Sequence, residues 1–277
     1  MPHRHIVFSI PKILRRCFLY DRKRLTDLSR LGWESPKAYF TSCSKHNGAV
    51  PGAVIAIQTF GDLLGYNPHL HVLISDGRFH KSGMLTVAPA IDTHAVEQLF
   101  RHKLLKLLLS QGRITEATVA LMGKWRHSGF SVHCGPRILP RQSAAMENLA
   151  RYIIRASFSQ ERLDYDARTA TVVYKGKDGR RQKSFDALEW LAAMCSHVPN
   201  KGEQLVRYYG YYSNVSRGKR QKTGDDAAMA YILEPPLPDK TFRKNWARLI
   251  QKIAAGPGHV PGRSIPWCVR RVGGRCV

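Results

Sequence analysis

The sequence predicts an α+β fold, an antiparallel sheet with packed helices and additional helices around it. Three observations predict it. Short runs rich in β-branched and aromatic residues occur near residues 5–10, 54–60 and 69–75, each bounded by turn residues. The second and third are separated only by a Gly- and Asn-Pro-rich link, which makes them a candidate antiparallel pair. Segments with helical spacing of apolar residues fall between and after them, without internal repeats.

The chain opens on a strand, His5-Ile6-Val7-Phe8-Ser9-Ile10, closed by Pro11. Residues 12–45 place Leu14, Phe18, Leu25, Leu28 and Leu31 at helical intervals. Val54–Phe60 forms the second strand and His69–Ser75 the third, ended by Asp76-Gly77. A helix is expected over 93–111, with Leu104, Leu105 and Leu107–Leu109 on its apolar side. Phe130–His133 reads as a short strand and Ala144–Ser159 as a helix. Residues 170–174 and 181–185 flank a Gly-rich turn as a hairpin, and a helix runs from there to Cys195. Asn200 with Glu203 three residues on has the form of a capping box, which predicts a helix from Leu205 to about Ser213. Phe242–Lys252 is a last amphipathic helix. Residues 1–252 are expected to form one region. Residues 253–277, rich in Gly and Pro with four arginines and no acid, are an irregular basic tail.

Composition narrows the function. Of 277 residues, 44 are Lys or Arg and 20 are Asp or Glu, a net charge of +24. A surplus of this size calls for a polyanion, and nucleic acid answers it best because neutralising phosphates releases counterions. No apolar run approaches the ~20 residues that span a bilayer, so no membrane partner is expected. The opening residues do not lead into a signal-peptide stretch. Six dispersed cysteines (Cys17, Cys43, Cys134, Cys195, Cys268, Cys276) form no CxxC pair, against both a disulfide scaffold and a zinc ribbon, and cytoplasm is the expected compartment. Trp125, Trp190 and Trp246 read as core anchors.

Two constellations carry chemistry. His69 and His71 are two apart on a strand, so both imidazoles lie on one face while Leu70 points into the core. Such a pair is half of a metal site. Residues 207–214 read Arg-Tyr-Tyr-Gly-Tyr-Tyr-Ser-Asn, and on a helix Tyr208 and Tyr212 share a face. A phenol, with a pKa of about 10, attacks a phosphate only with help, which a metal can provide. The same tyrosines suit packing on the sheet or stacking on bases. Gly210, unfavourable in a helix, is understandable where something approaches the backbone closely. The run Ser216–Lys222 next to them is a plausible clamp for a nucleic-acid backbone.

The segments His3–Pro11, Asn67-Pro68-His69-Leu70-His71-Val72, Leu149-Ala150-Arg151-Tyr152-Ile153 and Val206-Arg207-Tyr208-Tyr209-Gly210 resemble the HUH single-strand endonucleases. The finer likeness is to the two-tyrosine rolling-circle transposases of the insertion-sequence-ninety-one type, over about residues 1–252. The resemblance implies an HUH-like antiparallel sheet with the metal ligands on a central strand and helices packed on one face. It implies that His69 and His71 hold a divalent cation, Mg or Mn. Tyr208 would attack to leave a 5′-phosphotyrosine, and Tyr212 would serve in the second strand transfer. Gln58, on the preceding strand, is the candidate third ligand, with Asp62 as the alternative. Arg207, Arg217, Lys219, Arg220 and Lys222 would hold single-stranded DNA at the element ends, and no small-molecule substrate is expected. The family's cysteine-rich regions before residue 1 and after residue 252 are not found, so a copy shortened at both ends is expected. Two other functions fit the same motifs: a non-catalytic single-strand-binding remnant, and a plasmid replication initiator or relaxase.

Overall fold

The computed structural model describes residues 1–42, 48–81, 83–88, 90–140, 142–155 and 158–223. The expected helix at 242–252 and the tail at 253–277 lie outside the described residues, as does Trp246. Within them the fold is α+β.

A five-stranded sheet, antiparallel throughout, holds the molecule together. Its strands are β1 (His3–Ser9), β2 (Gly52–Phe60), β3 (Tyr66–Ser75), β6 (Ser131–Ile138) and β10 (Val206–Gly210), in the order β10-β2-β3-β1-β6. β3 is the central strand, pairing His71 with Val7 of β1 and with Ala56 of β2. β4 (Gly77–Phe79) and β5 (Leu85–Val87) form a small hairpin that the sequence did not announce.

Strand alternation sorts residues between the two faces of the sheet. One face carries Ile6, Phe8, Ala53, Ile55, Ile57, Leu70, Val72 and Ile74. Against it pack α1 (Lys12–Leu19), α2 (Arg24–Ser42) and α3 (Thr93–Ser110), through Leu14, Phe18, Leu25, Leu28, Phe100 and Leu104. The helical spacing read at 12–45 resolves, within the described residues, into these first two helices. α2 comes so close to β3 that a Cβ at Gly32 would overlap the Leu70 side chain. α4 (Glu116–Gly123), also not announced, closes this layer with Met122.

The opposite face is covered too, which corrects the expectation of helices on one face only. There Val54, Ala56, Leu73 and Ile138 pack against Met146 and Ile153 of α5 (Ser143–Ile154). Because β2 is covered on both sides, it reads as a nearly continuous apolar run rather than an alternating one.

A second, smaller core gathers Leu64, Val172, Tyr174, Phe185 and Trp190. It joins β7 (Leu163–Asp166), β8 (Thr171–Lys175), β9 (Gln182–Asp186) and α6 (Ala187–Cys195). Asp186 caps α6 by accepting from Leu188 N–H. Trp190 is a core anchor, whereas Trp125 is 38% exposed and is not.

The expected helix at 205–213 is instead the edge strand β10 followed by a turn. Glu203 does reach back to the Asn200 N–H, at 2.9 Å, but it also pairs with Arg22, and the chain then extends. Ile57 N–H donates to the Leu205 carbonyl, and Val206, Tyr208 and Tyr209 suit a pleated surface. The free edge of β2 outweighs a local helix signal. α7 (Asn214–Thr223) begins only after the turn.

Gly210 ends β10 at φ +59°, and a Cβ there would overlap the Pro51 carbonyl and the Trp33 ring. The close approach expected of this glycine is therefore present, at a strand end rather than in a helix. Gly210→Ala is expected to destabilise the fold by about 2–4 kcal/mol, the sum of left-handed backbone strain and overpacking. Urea unfolding of the two proteins measures it, and a change below about 0.5 kcal/mol would contradict this packing.

Candidate functional site

The face of the sheet under α5 collects imidazoles. His3, His5, His69, His71 and His133 all stand on it, because they occupy the alternate positions of β1, β3 and β6 that the apolar residues do not. His71 is 2% exposed and His69 is half-buried. Their rings lie edge to face, with centroids 5.0 Å apart.

Hydrogen bonds fix how the pair is presented. The Asn67 carbonyl lies 2.7 Å from His69 Nδ1 and can only accept, so Nδ1 carries the proton and Nε2 keeps its lone pair. Gln58 Nε2 donates to the Ile153 carbonyl, which turns Oε1 toward His71 Nε2 at 3.2 Å. His71 Nδ1 faces His5 Nε2 at 3.0 Å, and these two rings stack at 5.2 Å. A chain of polar contacts therefore runs from β1 through His71 and Gln58 to the end of α5.

His71 Nε2 and Gln58 Oε1 stand 3.2 Å apart, so with His69 Nε2 the face offers two imidazole nitrogens and one amide oxygen, a set that could hold a divalent ion. Among the described residues no group of three or more His, Cys, Asp or Glu is disposed to hold a metal. Asp62, the alternative, is engaged by Arg181 at 2.9 Å.

Above this pair sits a residue to which the sequence reading gave no role. Tyr152, on the last turn of α5, lies edge-on to His71 with ring centroids 5.5 Å apart. It is 46% exposed, and the Arg155 guanidinium stands 4.3 Å over its ring. Met146, Ala150 and Ile153 form the buried stripe of α5, so Tyr152 is held at the rim of that stripe. A signal was available: an aromatic residue beside an apolar helical stripe, with an arginine three residues on.

The tyrosines of the 208–212 cluster are placed differently. Tyr208 shares the histidine face, opposite Val54 on β2. Two strand spacings and one two-residue step put its Cα roughly 12 Å from that of His71. Burial pushes its phenol up to about 12, partly offset by Arg217. Tyr212 does not share a helical face with it. The Tyr212 hydroxyl donates to His3 Nε2 at 2.8 Å, and burial raises its pKa strongly. Tyr209 faces the other side of the sheet, stacked on Trp33 with its hydroxyl 3.0 Å from Ser29 Oγ. Tyr211 stacks on Phe79 at 3.9 Å.

The basic residues also divide. Arg207 points away from the histidine face and bonds Thr26 and the Gln204 carbonyl. Arg220 bonds the Tyr211 carbonyl and Ser216 and stands over the Tyr211 ring. Arg217, Lys219 and Lys222 are exposed on α7, a helix without an acidic residue. No described helix is long and apolar enough to cross a membrane.

A tyrosine and an arginine thus stand over paired imidazoles on a basic α+β scaffold. Residues 52–220 match the family Y2_Tnp, described as "Putative transposase", and the chain belongs to it. Among curated proteins it is 24% identical over 229 residues to the "Transposase for insertion sequence element IS801" of Pseudomonas savastanoi pv. phaseolicola, covering 77% of this chain and 55% of that protein. It is 26% identical over 242 residues to "Putative transposase y4qJ" of Sinorhizobium fredii (strain NBRC 101917 / NGR234), covering 78% of this chain and 60% of that protein. The chain thus spans little more than half the length of these relatives. No solved structure is a significant match.

Burial of the histidines has a consequence for stability. Desolvation lowers His3 and His71 to about 3 and His5 to about 4, from an ordinary 6.5, with the neighbouring charges adding to it. Between pH 6.5 and about 4 the unfolded chain therefore binds protons that the folded chain does not, and stability falls as pH falls. The slope approaches roughly 1 kcal/mol per pH unit for each such histidine. Thermal melting from pH 7 to 4.5 checks this, and a flat profile would contradict it.

Proposed function

We propose that this chain is the catalytic part of a DNA transposase that cuts and rejoins one strand through a tyrosine–phosphate linkage. The observation that carries the reading is Tyr152, exposed on α5 and edge-on to His71 at 5.5 Å, over the face that presents His69 and His71. Family membership supports the transposase role, and the +24 charge supports DNA as the partner.

The chemistry follows from nucleophilic catalysis. Tyr152 Oη attacks the phosphorus of a phosphodiester in single-stranded DNA. The bond from phosphorus to the 3′ oxygen breaks, that oxygen leaves as a hydroxyl with a proton, and the 5′ phosphate stays on Tyr152. Attack by a second 3′ hydroxyl reverses the step, joins the new strand and returns the phenol. No nucleotide cofactor is needed, because the linkage keeps the energy of the diester. His69 Nε2, His71 Nε2 and Gln58 Oε1 would hold Mg or Mn, which supplies Lewis-acid polarisation of the phosphate. All three ligands are neutral, so the negative charge a divalent ion requires comes from the DNA phosphate itself.

α5 carries one tyrosine. Tyr208, on the same sheet face, is the candidate for a second attachment. Tyr212, with its hydroxyl enclosed against His3, serves the packing. Arg217, Lys219 and Lys222 extend a cationic track past Tyr208 for single-stranded element ends, while Arg207 and Arg220 brace the scaffold.

Incubation with Mn and labelled single-stranded element-end DNA is expected to yield a covalent protein–DNA adduct. Tyr152→Phe should abolish it and His69→Ala or His71→Ala should reduce it at least about 100-fold, while Tyr208→Phe keeps the first cleavage. Full adduct formation by Tyr152→Phe would overturn the assignment.

A further inference from the structure

Beside His69 the structure opens a cavity of about 390 Å³ between the central sheet and the smaller three-stranded sheet. This lies in the range of small-ligand pockets, roughly 300–1,000 Å³. Its walls combine three kinds of group. Phe60 and Phe158 give it aromatic surface, and Arg155, Arg162 and Lys177 give it positive charge. Asn67 gives it an amide whose Oδ1 is buried and has no hydrogen-bond partner.

Each has a physical meaning. The three cations act on one another: the Lys177 ammonium is held below its ordinary range by partial burial and by the charges of Arg155 and Arg162. The one carboxylate in the lining, Asp62, is engaged by Arg181 at 2.9 Å. The cavity therefore has a net positive potential and attracts an anion. The aromatic walls are rigid. Phe158 lies edge-on to Trp190 at 5.9 Å, and Phe60 lies edge-on to His69 at 6.4 Å. An orphaned buried acceptor costs free energy until a donor meets it. Anion, flat ring and hydrogen-bond donor together describe a nucleotide, whose base carries ring or exocyclic N–H groups.

We propose that this cavity binds the base and phosphate of one nucleotide of the DNA strand, next to the phosphate that is cut. Phe60 and Phe158 stack on the base, the Asn67 amide turns its enclosed Oδ1 outward to accept from the N–H edge, and Arg155, Arg162 and Lys177 hold the phosphate. Asn67 ties the two sites together: its carbonyl orients His69 and the residue lines the cavity. The nucleotide seated there is read for identity through the N–H edge of its base. The proposal rests on the cutting site lying at His69 and His71, but its binding step does not need cleavage.

Two measurements on the full-length Tyr152→Phe protein in EDTA test it. Single-stranded oligonucleotides carrying one 5-iododeoxyuridine at successive positions are photo-crosslinked and the attached residue is mapped by mass spectrometry. Attachment at Phe60, Phe158 or Tyr174 is expected for one position, and attachment only on α7 or elsewhere on the surface would overturn the proposal. In competition against labelled single-stranded DNA, deoxynucleoside 5′-monophosphates should displace it at least about tenfold better than inorganic phosphate, the scale of one base stack. Asn67→Ser and Phe158→Leu, confirmed folded by melting, should remove that advantage. Equal competition by phosphate, or variants that keep the advantage, would leave an anion site only and refute base recognition. Because no cleavage takes place, a wrong nucleophile cannot produce any of these results.

Discussion

The pleat of β3 is the constraint on which the site depends. Leu70, Val72 and Ile74 are locked into the apolar layer under α1, α2 and α3, and Leu70 meets α2 where Gly32 leaves room for it. With period two, that burial forces His69 and His71 to the opposite face. A slip of one residue would put both imidazoles into the hydrophobic core, so the energy that sets the register also sets the site. The central place of β3 adds to this, since β1 and β2 hold it from both sides and bring His5 and Gln58 to either flank of His71.

α5 lays Met146 and Ile153 on the histidine face, which sets Tyr152 over His71 and Arg155 beside it. Gln58 links the two layers, because its amide bonds the Ile153 carbonyl on one side and faces His71 on the other. Burial keeps the imidazoles neutral, the state in which nitrogen donates a lone pair. Arg155, Arg162 and Lys177 leave the neighbouring cavity positive.

Much of this was legible in the sequence. The three first strands, the hairpin at 170–185, the helix ending at Cys195 and the shared face of His69 and His71 follow from period and breakers alone. Gln58 beside the pair was legible once β2 and β3 were read as antiparallel. The tyrosine segment was misread because Asn200 and Glu203 imitate a helix start. Only the unpaired edge of β2 makes Val206–Gly210 a strand, and such long-range pairing leaves no local mark. The contact of Tyr152 with His71 was not legible for a related reason. It lies 81 residues from His71 in sequence, and what distinguishes it is the packing of one helix over one strand. The cavity at Asn67 is likewise a product of two sheets meeting.

The most direct measurement is to map the covalent bond. The wild-type protein is trapped on single-stranded DNA with Mn, digested with protease and nuclease, and the modified peptide sequenced by tandem mass spectrometry. A phosphonucleotide on Tyr152 in the first cleavage is the expected result. The same group on Tyr208 or Tyr212, with Tyr152 unmodified, would contradict it.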